Sequence, residues 1–305
     1  MLFLVLGASW LGLLGRWHWI LDLLSHFRWQ SFAAAFVALL WLLWQRRPVI
    51  LVTLAALTLL LNGSLIYLTR GKADFARTEG RRLRVVSLNV LASNPDKNAV
   101  LEYVKSADAD VLFLMEVDAS WAATVDGLKG SYPHHIMELD AGAFGVALLS
   151  RVPLTESRLF HPEDSGTPSI QAKLMHEGRE LMLVGTHPVP PMGASWARSR
   201  DNQMEAVGRL VRLANVPVLV MGDLNATPWS YGMRKLKEGN SLDFRCPQGA
   251  WRPTWRARSL FAIPIDHALC TPPLNIARRD IGPDVGSDHR PQLLEIGWAT
   301  TASQP

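Results

Sequence analysis

Residues 217–228 read Pro-Val-Leu-Val-Met-Gly-Asp-Leu-Asn-Ala-Thr-Pro. The aliphatic run fits a strand buried on both faces, and residues 217–223 are expected to form a central one. Asp223 and Asn225 follow two residues apart, so both can face one pocket. Thr227-Pro228 then predicts a helix, a cap followed by proline at the first helical position. Open α/β sheets bind ligands at the carboxyl edge of such strands. An Asx-turn without chemistry is the bland reading of the same residues.

Four further signatures share this grammar: Ser87-Leu88-Asn89, Met115-Glu116, Ile265-Asp266-His267 and Ser287-Asp288-His289. Each follows aliphatic or β-branched residues, which predicts polar side chains at the carboxyl edge of a buried strand. Oxygen ligands gathered from several strands suit a hard cation such as Mg²⁺. A metal-assisted phosphoester hydrolase uses all five segments together.

Working outward, strands are expected at 83–89, 110–116, 145–150, 169–175, 180–187, 265–269 and 292–296, and helices at 96–106 and 195–213. In the long helix Met204, Val207, Leu210 and Val211 recur at helical spacing. The stretches 169–187 and 265–296 carry strands without intervening helices, so purely parallel winding does not fit. Two packed mixed sheets with helices outside do. His134, His135 and His161 belong to no motif and are expected in loops. Cys246 and Cys270 set no disulfide framework and read as buried free thiols.

The first 70 residues differ from the rest. They hold six of the twelve Trp, five basic residues and one acid, Asp22. The 20 residues 49–68 carry no charge, about the length that crosses a hydrocarbon core. Residues 31–44 are also uncharged, and residues 1–15 are apolar without the basic start and small-residue cleavage site of a signal peptide. The expected organisation is an anchor of about three transmembrane helices in 1–69, with Trp17, Trp19 and Trp29 at headgroup level. A basic linker follows at 70–82, then a catalytic domain at 83–298 and a tail at 299–305. A hairpin packed on the protein itself is the competing account of the helices. Counting Lys and Arg favours Arg16, Arg28 and the linker on the cytoplasmic side. Residues 85–305 hold 21 basic and 24 acidic residues, a net of −3, so the overall pI of 9.3 reports the anchor. A nonspecific nucleic-acid binder would carry a basic footprint on this domain.

The ordered set S-x-N, M-E, G-V-A-L-L-S-R, G-T-H, G-D-L-N-A-T-P, P-T-W, I-D-H and S-D-H, over about residues 83–297, resembles the endonuclease/exonuclease/phosphatase superfamily. That superfamily includes deoxyribonuclease I-like nucleases, apurinic endonucleases, sphingomyelinases and inositol polyphosphate phosphatases. The resemblance implies a four-layer α/β sandwich, two mixed β-sheets flanked by helices, here preceded by the transmembrane region. It also implies roles. Glu116, Asn89 and Asp288 would hold Mg²⁺, with Mn²⁺ the alternative. Asp223 would orient or deprotonate the attacking water, and Asn225 would contact a phosphate oxygen. His289, oriented by Asp266, would lie against the phosphate, and His187 would be a second phosphate-facing histidine. An Asp–His pair fixes the tautomer and raises imidazole basicity. His267 alternates to the opposite strand face and is expected to be structural.

One position departs from the family pattern. Its nucleases carry a tyrosine between the S-R and G-T-H motifs, and residues 151–186 contain none. The loop from Trp251 to Pro264 is rich in aromatic and apolar residues; core packing is the expectation for Trp255, and an exposed rim would suit a lipid-linked substrate. Hydrophobic helices followed by this domain look like the membrane phosphatases associated with glycopeptide-antibiotic resistance, which act on a lipid-linked pyrophosphate outside the cytosol. The resulting expectation is a phosphoesterase of the cell membrane, multi-pass, acting on a phosphate ester or pyrophosphate and in contact with the lipid bilayer. A membrane-tethered nuclease acting on nucleic acid is the alternative, and a catalytically dead module on the same fold is the third reading.

Overall fold

The computed structural model describes residues 2–162 and 166–300. Four helices come first: α1 (Leu2–Leu11), α2 (Trp19–Ser25), α3 (Arg28–Trp44) and α4 (Val49–Leu68). The remainder runs β1 (Thr78–Asn89), α5 (Lys97–Ala107), β2 (Val111–Met115), α6 (Ala122–Leu128), β3 (His134–Glu138), β4 (Val146–Ser150), β5 (Leu154–Phe160), β6 (Ser169–His176), β7 (Arg179–Thr186), α7 (Ala194–Leu213), β8 (Val218–Asp223), α8 (Tyr231–Lys237), β9 (Asp266–Cys270), β10 (Leu274–Ile281) and β11 (Gln292–Ala299).

These strands form two mixed sheets, ordered β10-β11-β1-β2-β4-β3 and β5-β6-β7-β8-β9. Each sheet has one parallel pair at its centre, β1 with β2 and β7 with β8, and antiparallel pairs elsewhere. The four-layer sandwich is therefore present. Strands such as Val111–Met115 and Val218–Asp223 are buried on both faces because both sides of each sheet are covered. Val85, Phe113, Leu148, Leu183 and Leu219 fill the space between sheets. Leu112 and Leu114 meet Val100, Val104 and Trp121 on one outer side, and Val184 and Val220 meet Met204 and Val207 on the other. Each such side chain contributes roughly 1.5–3 kcal/mol by leaving water.

Several expectations shift. β1 begins at Thr78, inside the basic linker, because Thr78 and Glu79 pair with Ala299 and Trp298 of β11. Ala299 thus belongs to the sheet, and residues 301–305 of the expected tail lie outside the described residues. The helix expected at Thr227-Pro228 starts at Tyr231, because Ser230 caps it by accepting from Met233 N at 3.3 Å. His134 and His135 lie in the edge strand β3, paired with Ser150 and Leu149, rather than in a loop. Cys246 and Cys270 are buried free thiols.

The N-terminal helices invert the usual pattern of burial. Trp44, Val49, Leu60 and Leu68 face outward, whereas Arg28, Ser9, Thr58 and Asn62 are buried. Arg28 donates to the Ser9 carbonyl at 2.6 Å and to Asn62 Oδ1 at 3.3 Å, and Asn62 donates to Ser9 Oγ at 3.0 Å. Among the described residues one helix, α4, is long and apolar enough to cross a membrane. α2 and α3 meet that standard only together and are bent by 65°. At ten residues, α1 is too short, so the expectation of about three spans reduces to one or two candidates.

α2 lies against the catalytic domain. Its Asp22 accepts from Arg200 Nη2 of α7 at 2.7 Å and from the Tyr231 backbone N at 2.6 Å. Gln30 donates to the carbonyls of Ala262 at 2.9 Å and Leu260 at 3.2 Å, and Trp229 donates to the Leu65 carbonyl at 3.1 Å. Trp29 and Trp251 rings pack 5.4 Å apart.

Candidate active site

The two central parallel pairs bring their carboxyl ends to one edge. β1 ends at Asn89, and Glu116 follows β2; β8 ends at Asp223, and His187 follows β7. Asp266 and the Asp288-His289 pair arrive differently from expectation. Asp266 opens β9, opposite Asp223, and His289 precedes β11. Both strands run antiparallel to their neighbours, so their amino ends lie at the same edge as the carboxyl ends of β8 and β1. All eight sequence-derived site residues, Asn89, Glu116, His187, Asp223, Asn225, Asp266, Asp288 and His289, come together there.

Close backbone approach makes this possible. Gly222 has φ +147°, and a Cβ on it would lie 2.0 Å from the Thr186 carbonyl oxygen, so only glycine fits before Asp223. Glu116 and Asn225 adopt φ of +62° and +46°. Left-handed backbone is common for Asn and unusual for Glu, and such residues cluster at sites the surroundings hold in place. Glu116 is held by the Asn89 amide, which donates to Oε1 at 2.8 Å, and by Ala92 N on Oε2 at 3.1 Å. The same Asn89 amide reaches Asp223 Oδ2 at 3.3 Å and so joins the two sheets.

His289 Nδ1 donates to Asp266 Oδ2 at 2.9 Å, and its Nε2 lies 3.5 Å from Asp223 Oδ2. Burial alone would push this imidazole down, but Asp266 and Asp223 outweigh it and hold it up at about 10. Asp223 is the mirror case. Burial would raise it, yet His289 and then His187, 3.5 Å away, hold it down at about 2. At neutral pH the pair is an ionised carboxylate facing an imidazolium. Asn225 donates to the Pro188 carbonyl at 2.9 Å, and its own carbonyl accepts from Arg200 at 3.2 Å. His267 points away: Nε2 faces the carbonyls of Ala226 and Pro264, and burial, then Arg279, push its pKa down to about 3.

Whether these residues fit a divalent cation is a matter of charge and donors. Four carboxylates, Glu116, Asp223, Asp266 and Asp288, converge here, with His289 as the protonated counter-charge. The buried Asp266 Oδ1 and Asp288 Oδ1 have no hydrogen-bond partner. Ligand atoms of Asp223, Asp266 and His289 lie within 4.8 Å of one another. Hard oxygen donors in excess fit a divalent metal.

The cluster floors a cavity of about 750 Å³. Its walls are apolar, with Phe144, Met192, Trp196, Trp255 and Ile263, and no Lys or Arg is among the described residues that line it. Trp255, expected in the core, instead donates to Asp288 Oδ2 at 2.8 Å. Leu23, His26 and Phe27 at the α2–α3 bend also line it. Sequence reading missed these four as site residues. The apolar 251–264 loop was the signal for Trp255; the bend gives none. At the start of β6, in the stretch 151–186 that holds no tyrosine, Thr167 donates to Gln203 Oε1 at 2.6 Å, and Gln203 donates to Ser169 at 3.2 Å and Thr186 at 3.0 Å, so the local hydroxyls are engaged internally.

The family model described as endonuclease/exonuclease/phosphatase matches residues 86–289, and the chain belongs to that family. Solved structures of the same fold include TDP2 from D. rerio in complex with a single-strand DNA product, at 18% identity and TM-score 0.60, covering 72% of this chain and 100% of that one. The human Nocturnin catalytic domain with bound sulfate is 19% identical at TM-score 0.59, covering 74% and 99%. An endonuclease/exonuclease/phosphatase protein from Beutenbergia cavernae is 19% identical at TM-score 0.58, covering 72% of each chain. No curated protein matches the sequence.

Proposed function

We propose that this chain is a membrane-anchored, Mg²⁺-dependent phosphoesterase that hydrolyses a phosphate ester or pyrophosphate on a lipid-linked substrate. The observation that carries this reading is the composition of the cavity: a floor of carboxylates and histidines under apolar walls, with no Lys or Arg among the described residues that line it. A nucleic-acid strand would present several phosphates and need Lys or Arg to neutralise them. The outward-facing apolar helices support the anchor, since a polar interior with an apolar exterior suits lipid.

Glu116, Asn89 and Asp288 would hold the cation, which when bound neutralises charge on the phosphoryl oxygens. Asp223, ionised and a weak base, orients the attacking water and accepts its hydrogen bond. His289, locked by Asp266, presents Nε2–H to a phosphoryl oxygen, and His187 and Asn225 flank it. Water oxygen bonds to phosphorus as the bond to the leaving oxygen breaks; that oxygen keeps the electron pair, and the water's proton passes to Asp223 late in the step and from there to solvent. These donors lie ready before charge develops, which is where such a site gains most.

The full-length protein with Mg²⁺ should release phosphate from polyprenyl pyrophosphate, and chelation should stop it. Asp223→Ala and His289→Ala should each lower the rate by roughly 10²–10⁴-fold. The second reading, a membrane-tethered nuclease, draws on the fold shared with DNA-bound TDP2. Nicking of plasmid DNA without turnover of the lipid would favour it.

A further inference from the structure

We propose that the α2–α3 bend is a wall of the substrate site and binds the hydrocarbon segment next to the scissile phosphate. This rests on the lipid-linked reading above and adds the residues that select the chain.

Three observations converge. The cavity directly above the catalytic floor is closed on one side by Leu23, His26 and Phe27, which lie more than sixty residues upstream of Asn89 and outside the family's matched segment. Phe144, Trp196 and Ile263 face them from the catalytic domain, so apolar surface continues from both sides of the gap. Its volume of about 750 Å³ lies within the roughly 300–1,000 Å³ of small-molecule sites. That admits a phosphate group and the first part of a chain, not a folded polymer.

The bend is fixed in place. Asp22, buried beside it, pairs with the buried Arg200 at 2.7 Å, and Arg200 also donates to the Asn225 carbonyl in the catalytic loop at 3.2 Å. Gln30, two residues into α3, holds the carbonyls of Leu260 and Ala262. Met192 lines the cavity and is exposed, and Leu260 and Phe261, in the loop that Gln30 of α3 holds, are exposed too, so apolar side chains are free to solvent both at the cavity and on that loop. Position and chemistry make the bend a determinant of specificity.

The test uses the full-length protein in mixed detergent micelles with alkyl pyrophosphates of increasing chain length. In the wild type KM should fall as the chain lengthens. Phe27→Ala and Trp196→Ala should flatten that dependence and raise KM for the longest substrate about tenfold or more, as loss of one buried aromatic contact implies; Phe27→Leu should restore the slope. Independently of any variant, a diazirine-tailed alkyl pyrophosphate should label the wild-type protein within residues 23–27. Turnover of the lipid with an unchanged chain-length slope, or label confined to residues 255–265, would overturn the wall assignment alone. Absence of lipid pyrophosphate turnover by the wild type would overturn the lipid reading and this inference with it.

Discussion

The helices before residue 70 and the sandwich after it bury opposite things. In the sandwich, Phe113, Leu148 and Leu219 fill the inside, and the buried charges, such as Asp223, Asp266 and Arg200, belong to the site or to paired contacts. In the helices, Ser9, Arg28 and Asn62 are inside and Leu60, Leu68 and Trp44 outside. Water drives the first arrangement, because removing apolar area from it is favourable. The second suits surroundings that cannot hydrogen-bond, where a polar side chain must find its partner within the protein. The two arrangements meet at the cavity, which Leu23, His26 and Phe27 line from the helices and Phe144, Trp196 and Ile263 from the sandwich.

The strongest test of this division acts on the pair that bridges it. Asp22→Ala removes the interregional partner of the buried Arg200 and leaves it with Asp201 at 2.8 Å, so the loss of the charged hydrogen bonds should cost about 1.5–3 kcal/mol. Thermal unfolding of the purified protein should fall accordingly, and hydrolysis should fall with it because Arg200 also supports Asn225. An unchanged melting temperature would mean that the two regions are not joined through this contact.

A matched pair of truncations sharpens the contrast. Leu219→Ala removes a side chain from between the sheets and should cost about 2–5 kcal/mol. Leu60→Ala removes one that is 67% exposed and should change stability in detergent by less than about 0.5 kcal/mol. Similar losses at both positions would break the inside-out description of the helices. Between these two lies the rim: Gln30→Leu gives up two contacts to the 260–262 carbonyls and should cost about 1 kcal/mol, read by denaturant unfolding.

Much of the site was legible because its residues end or open strongly patterned strands. Asp223 and Asn225 followed an unbroken aliphatic run, and Asn89 and Glu116 did the same, so their convergence needed only two parallel pairs. Asp266 and His289 were assigned to the right edge for the wrong reason: both precede their strands, and antiparallel pairing brings them to that edge. The edge strand holding His134 was missed because exposed edges lack an apolar pattern. Pro228 suggested a helix start that Ser230 supplies instead, two residues later, since a proline after a polar residue also fits a turn. The bend at Leu23–Phe27 was beyond reach. Its role comes from a contact between Asp22 and Arg200 across 178 positions, and periodicity carries no information at that range.

The α3–α4 hairpin stands on two feet, Gln30 gripping the 260–262 loop and Leu65 taking the Trp229 indole. Two separated contacts fix the line that joins them against the sandwich, so sliding of the hairpin along the catalytic floor is restrained. For the lipid-linked substrate proposed above, reach would then be part of the frame: a phosphate carried too near to or too far from the end of its chain would sit above or below the working level, however well its chemistry matched.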